Sequence, residues 1–146
     1  MCGRYALKIL PDGERLWIWA DARTNIHRYE SYNIAPTNDV PVLRMLDGER
    51  RVDLLRWGLV PYFAKGAPPS YSTINATIEK LETAPAWRGP WKRGQRCLMP
   101  ANGFYEWQVL EDGKTKQPYY ITAAEQEVFA FAALWDRSVA DDGTFI

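Results

Sequence analysis

Two runs rich in aliphatic residues, at 40–46 and 52–60, are separated by Asp47-Gly48, and this pairing constrains the fold more than any other feature of the chain. An Asp-Gly step favours the positive backbone angles of a two-residue β-hairpin turn, so the two runs are expected to form adjacent antiparallel strands. Further strands are expected at residues 2–9, 119–122 and 128–134. Residues 96–109 are apolar and aromatic, with Pro100 and Asn102-Gly103 inside the run. They read as a strand interrupted by a bend or bulge at 100–103. Pro11-Asp12 opens a predicted helix to about Ala22, and a second helix is predicted over 76–83, stopped by Pro85. Residues 29–39 and 61–72 carry Asn, Pro, Gly and Ser and read as loops. Many strands and few helices, without regular alternation, predict an α+β fold: a single domain over residues 1–146 with a curved, barrel-like, mainly antiparallel sheet.

A chain of 146 residues fits one core, and its 7 Trp, 8 Tyr and 5 Phe supply large packing surfaces for it. The opening residues lack the basic and apolar segments of a signal peptide, and no apolar run approaches the ~20 residues needed to cross a bilayer. The expectation is a cytoplasmic protein, associated with the nucleoid in a bacterium. Its 2 cysteines are then expected as thiols, with a Cys2–Cys97 bridge left open by the sequence, and they lack the spacing of a zinc site. No metal and no organic cofactor is suggested. Formal net charge is zero, but the distribution is uneven. Residues 44–96 hold ten basic against five acidic side chains, and residues 97–146 hold three against eight. The basic middle third reads either as a binding face or as ordinary solvated surface. The last residues, Gly143-Thr144-Phe145-Ile146, look like the start of a strand, which leads us to expect that the chain is a piece of a longer protein lacking its C-terminal part.

The residue with the most distinctive chemistry is Cys2. A methionine before a small residue is normally removed, which would make Cys2 the terminal residue. Its α-amine, of pKa about 7.7–8.0, would then sit beside a thiol near 8.5. The amine attacks an aldehyde to give an imine, and the thiol closes on the same carbon to give a thiazolidine. Gly3 permits close backbone approach, and Arg4 offers a bidentate contact for a phosphate.

Six separated stretches add specificity: Met1-Cys2-Gly3-Arg4-Tyr5, Tyr32–Thr37 (YNIAPT), Arg56–Pro61 (RWGLVP), Ile74-Asn75-Ala76, Arg96–Trp107 (RCLMPANGFYEW) and Phe131–Trp135 (FAALW). With these, in this order, the chain resembles the SRAP (SOS response-associated peptidase) family, whose members cross-link to abasic sites in single-stranded DNA. The resemblance implies that Cys2 is the covalent nucleophile. It implies that Asn75 hydrogen-bonds near the Cys2 amine and the sugar, and that Glu106 is the acid/base group of ring opening and imine formation. A carboxyl can serve so at neutral pH when burial raises its pKa, and Phe104, Tyr105 and Trp107 surround it in sequence. Arg4 and Trp107 would lie along a DNA groove. Trp57, with Tyr62 and Phe63 after it, would stack on bases; for Trp57 core packing is an equal alternative.

The chain departs from the family pattern in two places. Thr77 stands where the family usually has Arg, which removes a phosphate contact. The family's His-Asp-Arg-Met-Pro run falls beyond Ile146, and the single histidine, His27, lies in no comparable motif and reads as a surface residue. Two further readings are weighed beside the covalent one. An N-terminal-cysteine peptidase would use the same thiol with an oxyanion site and a base. A non-covalent single-strand-binding module would keep Met1.

Overall fold

The computed structural model describes residues 2–9, 26 and 28–143. The helix expected at 12–22, His27, and the strand start at 144–146 lie outside the described residues. Eight strands are described: β1 Tyr5–Ile9, β2 Tyr29–Ile34, β3 Asp39–Leu46, β4 Glu49–Arg56, β5 Arg96–Ala101, β6 Gly103–Val109, β7 Lys116–Ile121 and β8 Phe129–Leu134. They form two four-stranded sheets, ordered β2-β1-β6-β7 and β4-β3-β5-β8, with every neighbouring pair antiparallel. The α+β, mainly antiparallel expectation is met, with the strands shared between two sheets that do not close on each other.

The β3–β4 hairpin turns at Asp47 and Gly48, with φ of 51° and 78°, as the Asp-Gly step demands. The run 96–109 bends at Asn102, and there the chain leaves one sheet for the other. Asn102 secures that corner by three bonds. Its N–H donates to the Ala6 carbonyl at 2.9 Å, its Oδ1 accepts from the Lys8 N–H at 2.5 Å, and its Nδ2 donates to the Glu127 carbonyl at 2.8 Å. In β1 only Lys8 is exposed, and Tyr5, Leu7 and Ile9 belong to the main apolar core. They meet Ile34 of their own sheet and Val40, Val42, Val52, Cys97 and Ala101 of the other. The main core therefore lies between the sheets.

Two expectations are corrected. Residues 29–34 are a strand and not a loop: the polar sequence YESYNI pairs with β1 from Tyr5↔Ile34 to Ile9↔Tyr29, across one irregularity. Residues 76–83 form only a short 3-10 helix, Ile78–Lys80, while the described α-helix, α1, is Pro85–Lys92. Pro85 starts this helix instead of stopping one, because the first helical position needs no N–H. Pro90 inside it is tolerated because Ala86, Trp87 and Pro90 form a buried face, and Ala86 and Trp87 join Leu59 in a second apolar cluster beside Leu134 of β8. No helix among the described residues is long and apolar enough to cross a membrane.

Candidate active site

The segment before β1 carries Cys2, and β6 carries Glu106, two strands that pair at Tyr5↔Phe104 and Ala6↔Gly103. The ladder continues past β1, since the Tyr105 N–H donates to the Arg4 carbonyl at 2.9 Å. This brings the chain start alongside Glu106. The same Arg4 carbonyl accepts the Cys2 thiol at 3.3 Å. Cys2 and Glu106 are both half-buried.

Asn75 reaches the same point from the other side. Its Nδ2 donates to the Cys2 carbonyl at 2.9 Å. The segment that delivers it is fixed by the Leu59 N–H on the Thr73 carbonyl at 3.3 Å and by the Trp57 indole N–H on the Ile74 carbonyl at 3.3 Å. Asn75 thus holds the peptide that follows Cys2 and not the amine itself. The Cys2 thiol pKa is raised, first by burial and further by the negative charge of Glu106. A cavity of about 560 Å³ opens beside Cys2 and Asn75, walled by Trp57, Trp87, Met99 and Trp135.

The remaining predicted residues are placed as follows. Arg4 donates from Nη1 to Asn33 Oδ1 at 2.7 Å, an exposed contact that ties the segment before β1 to β2. Trp107 is 46% exposed on β6 and open to a ligand. Trp57 is not: it is 7% exposed and packs edge-on against Tyr5, with ring centroids 5.2 Å apart. Of the two readings open in the sequence, its burial and its contact with Tyr5 fit core packing. Tyr62 and Phe63 are exposed and in edge-to-face contact at 5.5 Å. The structure therefore brings Cys2, Arg4, Asn75 and Glu106 together and leaves Trp57 as a support beneath them.

Several basic residues of the middle third serve the fold. Arg44 pairs with Asp53 at 2.7 Å and lies 4.3 Å from the Trp135 ring centroid, and Arg56 donates to the Gly58 carbonyl. Asn33, which accepts from Arg4, was not singled out in the sequence; its signal was its place in the YNIAPT stretch. Cys97 is a free, buried thiol pushed up to about 12 by burial. No cluster of three or more metal-ligating side chains occurs among the described residues.

Known proteins share the sequence pattern and the fold of this chain. The family model for the SOS response associated peptidase (SRAP) matches residues 1–146. The abasic site processing protein YoqW of Bacillus subtilis (strain 168) is 34% identical over 98% of this chain and 63% of its own length. The abasic site processing protein HMCES of Xenopus tropicalis is 33% identical over 83% of this chain and 42% of its own length. A crystal structure of a phage-related protein from Bordetella bronchiseptica superposes over 98% of this chain with a TM-score of 0.67 at 32% identity. One of a Bacteroides thetaiotaomicron protein does so over 99%, with a TM-score of 0.82 at 22% identity, which shows the shared fold. The chain spans 63% of the length of YoqW, so these relatives carry further residues beyond the matched part.

Proposed function

The chain belongs to the SOS response associated peptidase (SRAP) family, and from that membership we propose that it processes abasic sites in single-stranded DNA by covalent capture on Cys2. The observation that carries the reading is the Asn75–Cys2 bond of 2.9 Å at a half-buried thiol beside Glu106. The names of YoqW and HMCES, both abasic site processing proteins, support the substrate.

The proposed chemistry begins with loss of Met1. The abasic sugar opens to its aldehyde, with Glu106 moving the ring proton. The Cys2 amine adds to the carbonyl carbon, and Glu106 protonates the departing hydroxyl, so that water leaves and an imine forms. The thiol then adds to the imine carbon and its proton passes to the nitrogen. One aldehyde and one terminal cysteine give one thiazolidine and one water. Asn75 holds the Cys2 carbonyl, and so fixes the peptide plane from which Cα, the amine and Sγ project. A raised thiol pKa suits this order, because a neutral thiol leaves the first step to the amine. Arg4 takes a flanking phosphate and Trp107 a flanking base.

The test is incubation with an oligonucleotide carrying one abasic site, followed by a denaturing gel. A shifted band that disappears in Cys2→Ala is the expected result. An undiminished band in that variant would overturn the reading. A peptidase would instead turn over peptides without forming the band.

A further inference from the structure

We propose that Asp136, through Arg93, is the positioning residue for an exposed aromatic step, Tyr62–Phe63, on which the bases of single-stranded DNA stack; this rests on the DNA reading above. Tyr62 is 57% and Phe63 48% exposed, on a loop that begins at the fully buried Pro61. Exposed aromatic rings on loops are common, and exposure alone says little. The way this loop is held says more.

The Asp136 side chain is only 2% exposed. Its Oδ2 accepts from the Tyr62 N–H at 3.0 Å. Its Oδ1 accepts from the Arg93 guanidinium at 2.8 Å and from the Arg137 N–H at 2.9 Å. Arg93 in turn lies 5.1 Å from the Tyr62 ring centroid. The Tyr62 ring also lies over Gly89 of α1, where an added Cβ would meet it at 3.6 Å. One buried carboxylate therefore holds Tyr62 by its backbone and, through Arg93, by its ring. The far end of the loop is tied to the same segment. The Gly66 N–H donates to the Oγ of fully buried Ser138 at 2.8 Å. Gly66 itself, at φ 80°, has no room for a Cβ, which would fall 2.8 Å from that of Ala140.

Burying a carboxylate is costly unless it is fully paired, and this one is paired with three donors. What the arrangement presents to solvent is two fixed rings beside a guanidinium. A nucleobase with its phosphate matches that surface, and stacking tolerates any base, as suits a protein that recognises a lesion.

The test is a double-mutant cycle on the full protein, using single-stranded DNA with 2-aminopurine, whose fluorescence is quenched on stacking. Tyr62→Leu is expected to weaken binding about tenfold and to remove the quenching. Asp136→Asn is expected to weaken binding several-fold, and the double variant to be no weaker than Tyr62→Leu alone. Losses that multiply, or wild-type affinity and quenching in Asp136→Asn, would overturn the inference. Should Asp136→Asn fail to fold, Arg93→Gln against Tyr62→Leu gives the same cycle, because it leaves the two backbone donors on the carboxylate. A wild-type protein that binds and cross-links DNA while the losses multiply removes this inference alone. One that does not bind single-stranded DNA removes the DNA reading and this inference with it.

Discussion

At the scale of single residues, Asn75 is the contact on which the account leans, because it joins two segments 73 positions apart at the reactive residue. Asn75→Ala removes one hydrogen bond and loosens the Cys2 peptide. Cross-linking is expected to slow by about tenfold, the rate equivalent of roughly 1.4 kcal/mol of lost positioning. Timed gels check this, and an unchanged rate would deny the positioning role. The thiols make a second prediction. Both are raised, Cys2 by partial burial and Glu106, and Cys97 to about 12 by its deeper burial. Since the thiolate is the reactive form, alkylation of Cys2 should accelerate with pH along a curve displaced above the ordinary cysteine value. Cys97 should stay unmodified in the native protein up to at least pH 9. Peptide mapping after iodoacetamide at a series of pH values reads both. The chemistry proposed for Cys2 was argued from its place in the chain, and the roles proposed for Asn75 and Glu106 from the motif resemblance; the structure brings the three residues close together. Asp136 was not legible. Its partners Arg93 and Tyr62 lie 43 and 74 positions away, so no local pattern announces it.

At the scale of elements, strands with a strong local signal were legible and those defined by their partners were not. Asp47-Gly48 located the β3–β4 hairpin because its turn chemistry is local. β2 was hidden because YESYNI has no apolar alternation, and its strand geometry comes from pairing with β1. α1 was hidden because PAWRGPWK has two prolines and a glycine, and burial of Ala86, Trp87 and Pro90 outweighs their poor helix propensity. The corner between β5 and β6 was foreseen as a bend, but its role as the switch between sheets depends on Asn102. Asn102→Ala leaves the Lys8 N–H and the Glu127 carbonyl without that partner. It should lower stability by about 1–3 kcal/mol. Asn102→Asp keeps the acceptor and should cost less. Urea unfolding midpoints decide between these outcomes, and two equal midpoints would refute the corner's role.

At the scale of the whole molecule, the two sheets enclose the core and set the chain start against Glu106 at one end of it. Net charge is zero, and several cations of the basic middle third are engaged in the fold. Binding to single-stranded DNA should therefore rest on few phosphates. The slope of log affinity against log salt is expected to be shallow, near −0.7 for each phosphate held. Arg4→Ala should make it less negative by about 0.7, and an unaltered slope would take Arg4 out of the phosphate contacts. The central claim is that one terminal residue supplies both nucleophiles. Intact-mass spectrometry tests it most directly, applied to the protein before and after reaction with an abasic oligonucleotide. The account predicts a polypeptide without Met1, an adduct equal to the oligonucleotide less one water, and a Cys2 thiol that no longer accepts alkylation. Retention of Met1 in the cross-linked species, or an adduct that leaves the Cys2 thiol free, would contradict it.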